Sequence, residues 1–99
     1  MTRLSFHPEA ILEYEAAAVR YEQLQRGLGA RFVASVETAL QGIVADPTAW
    51  PALEVDVRRR LTRVFPYAIL YAAEPDAIVV LAVMHCHRKP GYWRSRAGT

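Results

Sequence analysis

Val57 to Arg96 reads VRRRLTRVFPYAILYAAEPDAIVVLAVMHCHRKPGYWRSR, and the spacing of its apolar residues decides the fold. Three β-rich segments, residues 57–64, 67–73 and 77–85, are separated only by Phe65-Pro66 and by Glu74-Pro75-Asp76. Breaks that short join antiparallel neighbours, so the stretch predicts a β-meander. Its last segment carries AIVVLAVM, apolar at every position from Ala77 to Met84. A strand of that kind is covered on both faces, which predicts a central position in the sheet.

Upstream the period changes from two to three and four. His7-Pro8-Glu9 is a helix-start signal, with proline near the first turn and an acid beside it. Ile11, Tyr14, Ala18, Tyr21 and Leu24 then recur at helical spacing, while Glu9, Glu13, Arg20 and Gln23 fill the remaining directions as a solvated back. Gly27 and Gly29 break this helix. A second carries Leu28, Phe32, Val36, Ala39, Leu40 and Ile43 on one face and closes at Asp46-Pro47, because a residue before proline avoids the helical region. Arg3 to Phe6 reads as a short first strand, and Pro47, Trp50 and Pro51 predict an ordered connection between the second helix and the meander. The result is an α+β order, β-α-α-β-β-β, with a helical hairpin packed on one face of a small, mainly antiparallel twisted sheet.

The chain has 99 residues, 53% of them apolar, enough for one modest core and too few for two, so residues 1–99 are read as a single domain. The apolar run at Ala77–Met84 is far shorter than the roughly 20 residues that span a bilayer. The amino-terminal MTRLSFHPEAILEYE lacks the apolar stretch of a signal peptide, and one cysteine, Cys86, forms no internal disulfide; both readings predict a cytoplasmic protein without a membrane partner. The net charge of +2 hides an asymmetry. Residues 1–54 hold four Arg against seven acids, whereas residues 55–99 hold eight Lys and Arg against three acids, a local balance of +5. Such a concentration points to an anionic partner, either a nucleic acid or an acidic protein segment.

Several chemistries find no support. Gly27-Leu28-Gly29 joins two helices and lacks the spacing and the lysine of a phosphate loop. No Gly-x-Ser-x-Gly elbow occurs. In His85-Cys86-His87 alternation puts the two histidines on one face and the thiol on the other, and only His7 remains as a further ligand, so no metal and no cofactor are expected. Cys86 reads as a small buried residue. Trp50, Phe65 and Tyr71 read as packing residues, while Tyr92 and Trp93, in a Lys/Arg-rich tail, fit packing and base stacking equally.

The stretch from Arg58 onward, above all FPYAILY and IVVLAVMHCHRKPGYW, resembles the carboxy-terminal half of RelE/ParE family toxins. The resemblance implies the RelE/ParE-like fold and a growth-inhibiting toxin of a type II toxin-antitoxin pair, of the kind linked to plasmid stabilization. It implies a cognate antitoxin whose flexible segment wraps the sheet and hairpin, and leaves the oligomeric state open. Two targets occur in that family: RelE-like members cleave messenger RNA on the ribosome, and ParE-like members poison DNA gyrase.

For metal-independent RNA cleavage the resemblance nominates His85, Arg88 and Tyr92 as acid, clamp and base, because the chemistry needs proton transfer and cations around a phosphate. Arg58, Arg60, Arg63, Lys89 and Arg94 are candidates for binding an anion or the target. Strand alternation puts Arg58 and Arg60 with Thr62 on one face, and Arg59 with Arg63 on the other. The competing reading makes these arginines a solvated edge or a surface awaiting an acidic antitoxin. Two departures from the RNA-cleaving pattern, Ala68 and Cys86 at positions where those relatives carry arginine, tilt the expectation toward gyrase. The alternatives are a ribosome-dependent endonuclease and a degenerate member that binds antitoxin without toxicity.

Overall fold

A computed structural model describes residues 2–97. Strand β1 (Arg3–Phe6) leads into helices α1 (Pro8–Leu24) and α2 (Leu28–Ala45), followed by β2 (Ala52–Glu54), β3 (Val57–Leu61), β4 (Tyr67–Glu74), β5 (Ala77–His85) and a short 3₁₀ turn at Arg94–Arg96. The strands form one sheet in the order β1-β5-β4-β3-β2, antiparallel except for the β1–β5 pair. The expected α+β architecture is present. Two details differ from the sequence reading. Ala52–Glu54 adds an edge strand, paired through a two-residue turn in which Asp56 takes φ 64°. The first segment of the expected meander ends at Leu61 and not at Val64, because Val64 itself turns the chain at φ 74°. Strand β5 is interior, as its apolar run requires, but β4 holds the middle.

Helix α1 starts where His7 Nδ1 accepts the Glu9 amide at 3.2 Å. Its buried face is lined by Ala10 and Ala17 with Tyr14, Ala18 and Tyr21 beside them, whereas Ile11 and Leu24 are 43% and 71% exposed. The helix is thus rotated from the expected face: small alanines let its backbone come close, and the tyrosine rings fill the space around Phe32, Phe65 and Tyr67. Helix α2 buries the expected Phe32, Val36, Ala39, Leu40 and Ile43. Gly27 at φ 87° makes the tight link between the helices, and the Glu22 carboxylate accepts the amides of Gly27 and Gly29, where α2 has no capping side chain of its own.

Both faces of β5 are covered, as expected, but by different things. The helical hairpin covers one, with Ile78, Val80 and Val83 beneath it. The carboxy-terminal tail covers the other, where Trp93, only 2% exposed, packs with Val57, Leu70, Leu81 and Ala82. The open choice for Trp93 is thereby decided as packing.

Candidate functional site

The site is made by an irregularity in β5. Tyr71 pairs with Val80 and Leu70 with Ala82, so Leu81 has no partner and forms a bulge. One extra residue swaps the alternation: Ile78 and Val80 face the helices before it, and Val83 faces them after it. His85 consequently lies on the helix side, opposite Tyr67 with ring centroids 5.2 Å apart, and opens into the space beside α1. Without the bulge its side chain would lie on the tail side. A bulge next to a site commonly re-aims a side chain in this way.

The space is an open cleft of about 650 Å³ between α1 and the end of β5. Leu12, Ala16, Leu24 and Tyr21 supply its apolar wall, and Arg20, Arg88, His85, His87 and Glu13 its polar side. Arg20 donates from Nη2 to the Tyr67 hydroxyl at 2.6 Å. The His87 amide donates to His85 Nδ1 at 3.0 Å, which fixes the His85 ring and leaves its Nε2 as the free nitrogen. Arg88 stacks over the Tyr92 ring at 4.1 Å. The cleft thus brings His85 and Arg88 together, with His87 and Arg20 beside them.

Tyr92 is placed differently from its two companions. Its hydroxyl donates to Glu13 Oε2 at 2.6 Å. Burial, then the hydrogen bond to Glu13 and its negative charge, push the phenol's pKa well above the ordinary value of 10.0. A phenol so held keeps its proton and is a poor general base. Glu13 was expected on a solvated back; its side chain is only 16% exposed and also accepts the Val83 amide at 3.1 Å and both terminal nitrogens of Arg96 at 3.0 and 3.1 Å. Arg96 in turn donates to the Leu81 carbonyl at 3.0 Å, the group that the bulge turns out of the ladder. Burial works to lower the Arg96 pKa, but the hydrogen bond to Glu13 and its charge, together with Tyr92 and Glu9, outweigh that cost and raise it. Arg20 is exposed, as expected of the solvated side, but its guanidinium also reaches the Tyr67 hydroxyl. Sequence reasoning missed both residues because their partners lie far away in the chain; the available signal was their spacing with Ala17, at i, i+4 and i+7, along the edge of the alanine face.

The remaining candidates separate. Arg58 and Arg60 turn toward the carboxy-terminal end of α2: Arg58 Nη1 donates to the Trp50 carbonyl at 2.7 Å, and Arg60 Nη1 to the Ala39 carbonyl at 3.3 Å with its guanidinium 4.1 Å from the Trp50 ring centre. They serve a structural end that carries no basic residue in its own last turn. Arg63 lines a separate groove with Arg31, Leu61 and Val64. Arg94 is paired with Glu54, its Nε 2.6 Å from the carboxylate. Lys89 is exposed beside the cleft residues Arg88 and His87 in sequence. The single docking face expected from the charge count is thus distributed over several places. Cys86 is exposed, not buried, because the strand ends one residue before it. Ala68 is fully buried and offers no site. No group of three or more potential metal ligands occurs among the described residues.

Comparison with known proteins adds the family. The sequence model of the ParE toxin of the type II toxin-antitoxin system, parDE, matches residues 4–90. The chain belongs to the ParE toxin family. This ParE-family chain is also similar in structure to a chain of the chromosomal ParDE TA system from P. aeruginosa, with a TM-score of 0.70 and 18% sequence identity over 86% of this chain and 96% of that one. At that identity the likeness shows the fold. No curated protein matches the sequence significantly. The family match spans both helices, the sheet apart from Arg3, and the cleft residues His85, His87 and Arg88, while Tyr92, Trp93 and Arg96 of this ParE-family toxin lie beyond it. No helix is long and apolar enough to cross a membrane among the described residues.

Proposed function

We propose that this type II toxin arrests growth in the cytoplasm by binding DNA gyrase, with the cleft between α1 and β5 as the contacting surface and no chemistry of its own. The observation that carries this reading is the state of Tyr92. The cleft keeps its cations, Arg20 and Arg88, and its histidines, but the phenol nominated as base is spent on Glu13 and retains its proton. Such a surface recognises acidic groups and supplies cations without removing a hydroxyl proton. The buried Ala68 agrees, since no clamp arginine stands at that place on β4. The family resemblance supplies the target, gyrase being what ParE-like members poison.

The test is a pair of assays on the purified chain. Supercoiling by purified gyrase should be inhibited, and primer extension on translated messages should show no new cleavage. Cleavage on the ribosome that disappears in Tyr92→Phe, with gyrase unaffected, would replace this reading by the endonuclease one. Free toxin should be neutralised by its antitoxin through a segment that combines apolar and acidic side chains, and their association should slow as ionic strength rises.

A further inference from the structure

We propose that Glu13 is a positioning residue: by holding Tyr92, Arg96 and the Val83 amide at once, it locks the tail onto α1 and thereby sets the Arg88 guanidinium at the cleft. This inference rests on the cleft being the surface that meets the target. The physical need arises from the sheet. Strand β1 pairs with β5 only from Ala77 to Val80, so among the described residues the β5 edge beyond that point has no neighbouring strand. Glu13 takes the Val83 amide and Arg96 takes the Leu81 carbonyl, two backbone groups otherwise left without partners. One carboxylate and one guanidinium thus stand in for a missing strand.

The same pair fixes the tail. Both oxygens of Glu13 are used, Oε1 on Val83 and Arg96, Oε2 on Tyr92 and Arg96, and Glu9 approaches Arg96 Nε at 3.4 Å from one turn earlier in α1. Two guanidinium groups lie over the Tyr92 ring, Arg96 at 5.0 Å and Arg88 at 4.1 Å from its centre. Arg88 is exposed, and among the described residues its guanidinium rests on the Tyr92 ring. The order of support therefore runs from α1 through Glu13 to Tyr92, and from Tyr92 to Arg88. A guanidinium already held in place meets an acidic group at lower entropic cost than a free one.

The experiment is a double-mutant cycle on the full chain, read by growth inhibition on induction and by hydrogen exchange. Glu13→Gln keeps the shape and removes the charge. It should speed exchange of the Val83 amide and of the tail amides about tenfold or more, leave α2 and β4 unchanged, and lower toxicity to the level of Arg88→Ala. The combination of both substitutions should be no worse than Arg88→Ala alone, because one acts through the other. Losses that add, or a tail that stays protected in Glu13→Gln, would overturn the proposal. If Glu13→Gln does not fold, Tyr92→Leu removes the supporting ring while sparing the Glu13–Arg96 pair, and the same non-additivity with Arg88→Ala is expected. Should Arg88→Ala keep full toxicity, the cleft reading itself fails; should it lose toxicity while Glu13→Gln retains it, only the role of Glu13 does.

Discussion

Val64 sits at φ 74°, a conformation that a β-branched residue adopts only under strain, and it is 85% exposed, so its side chain recovers little by packing. The neighbouring backbone holds it there: Ser35 Oγ donates to the Arg63 carbonyl at 2.7 Å, and Thr62 Oγ1 lies 3.0 Å from the Phe65 carbonyl. Strain of this kind costs about 1–3 kcal/mol, and glycine would release it while adding up to about 1 kcal/mol of freedom to the unfolded chain. Val64→Gly should therefore stabilise the protein by about 1 kcal/mol, seen as a higher urea midpoint with unchanged slope; a lower midpoint would contradict the strain argument. Single residues also mark where the sequence was legible. His85 ends β5 as expected, because the unbroken apolar run stops at Met84 just before it. Glu13 was not legible, since the groups it serves, Val83, Tyr92 and Arg96, lie on the far side of the chain and local periodicity carries no trace of them.

At the scale of elements, the arginines of β3 explain how α2 ends. Its last turn has no cation, and Gly42 leaves room for Arg60 to pass close to the helix backbone and lie over Trp50, whose Nε1 donates to the Gly42 carbonyl at 3.4 Å. The Tyr71 hydroxyl closes the same corner on the Pro47 carbonyl at 2.7 Å. Arg60→Ala removes a cation–π contact worth about 0.5–1 kcal/mol and a hydrogen bond worth about 1 kcal/mol. A loss of about 1–2 kcal/mol by urea titration, with toxicity intact, is the expected outcome. Toxicity lost without loss of stability would return Arg60 to the target surface. Counting charges along β3 revealed the cations but not their direction, because each strand residue faces one side or the other and only the position of α2 says what waits there. The helix periods, the meander and the connection at Trp50 were readable for the opposite reason: each depends on neighbours within a few residues. The bulge at Leu81 fell between these cases, since nothing in an unbroken apolar run shows which residue will lose its partner.

The whole molecule couples these parts through its tyrosines. Burial raises the pKa of Tyr14, Tyr21, Tyr71 and Tyr92 above 10.0, and carboxylates reinforce the effect at Tyr14, beside Glu37, and at Tyr92, beside Glu13. The folded state therefore favours the protonated phenols. Their contribution is complete below the unfolded value of 10.0, and is lost as pH rises from there toward the folded values, because the unfolded chain releases these protons first. Stability should stay flat across the neutral range and fall above about pH 10, with tyrosinate absorbance rising in the same transition as unfolding. Absorbance that rises well before unfolding would show that these hydroxyls are not held as described. The parallel pairing of β1 with β5 has one more consequence. Arg3 meets Ala77, and Glu13 meets Arg96 at a separation of 83 residues, so the first strand and first helix find these partners only after the whole hairpin and meander have been made. Until those residues are made the first strand lacks the edge it pairs with and Glu13 lacks the tail it holds, so the amino-terminal elements wait for the latest-made ones before they can settle.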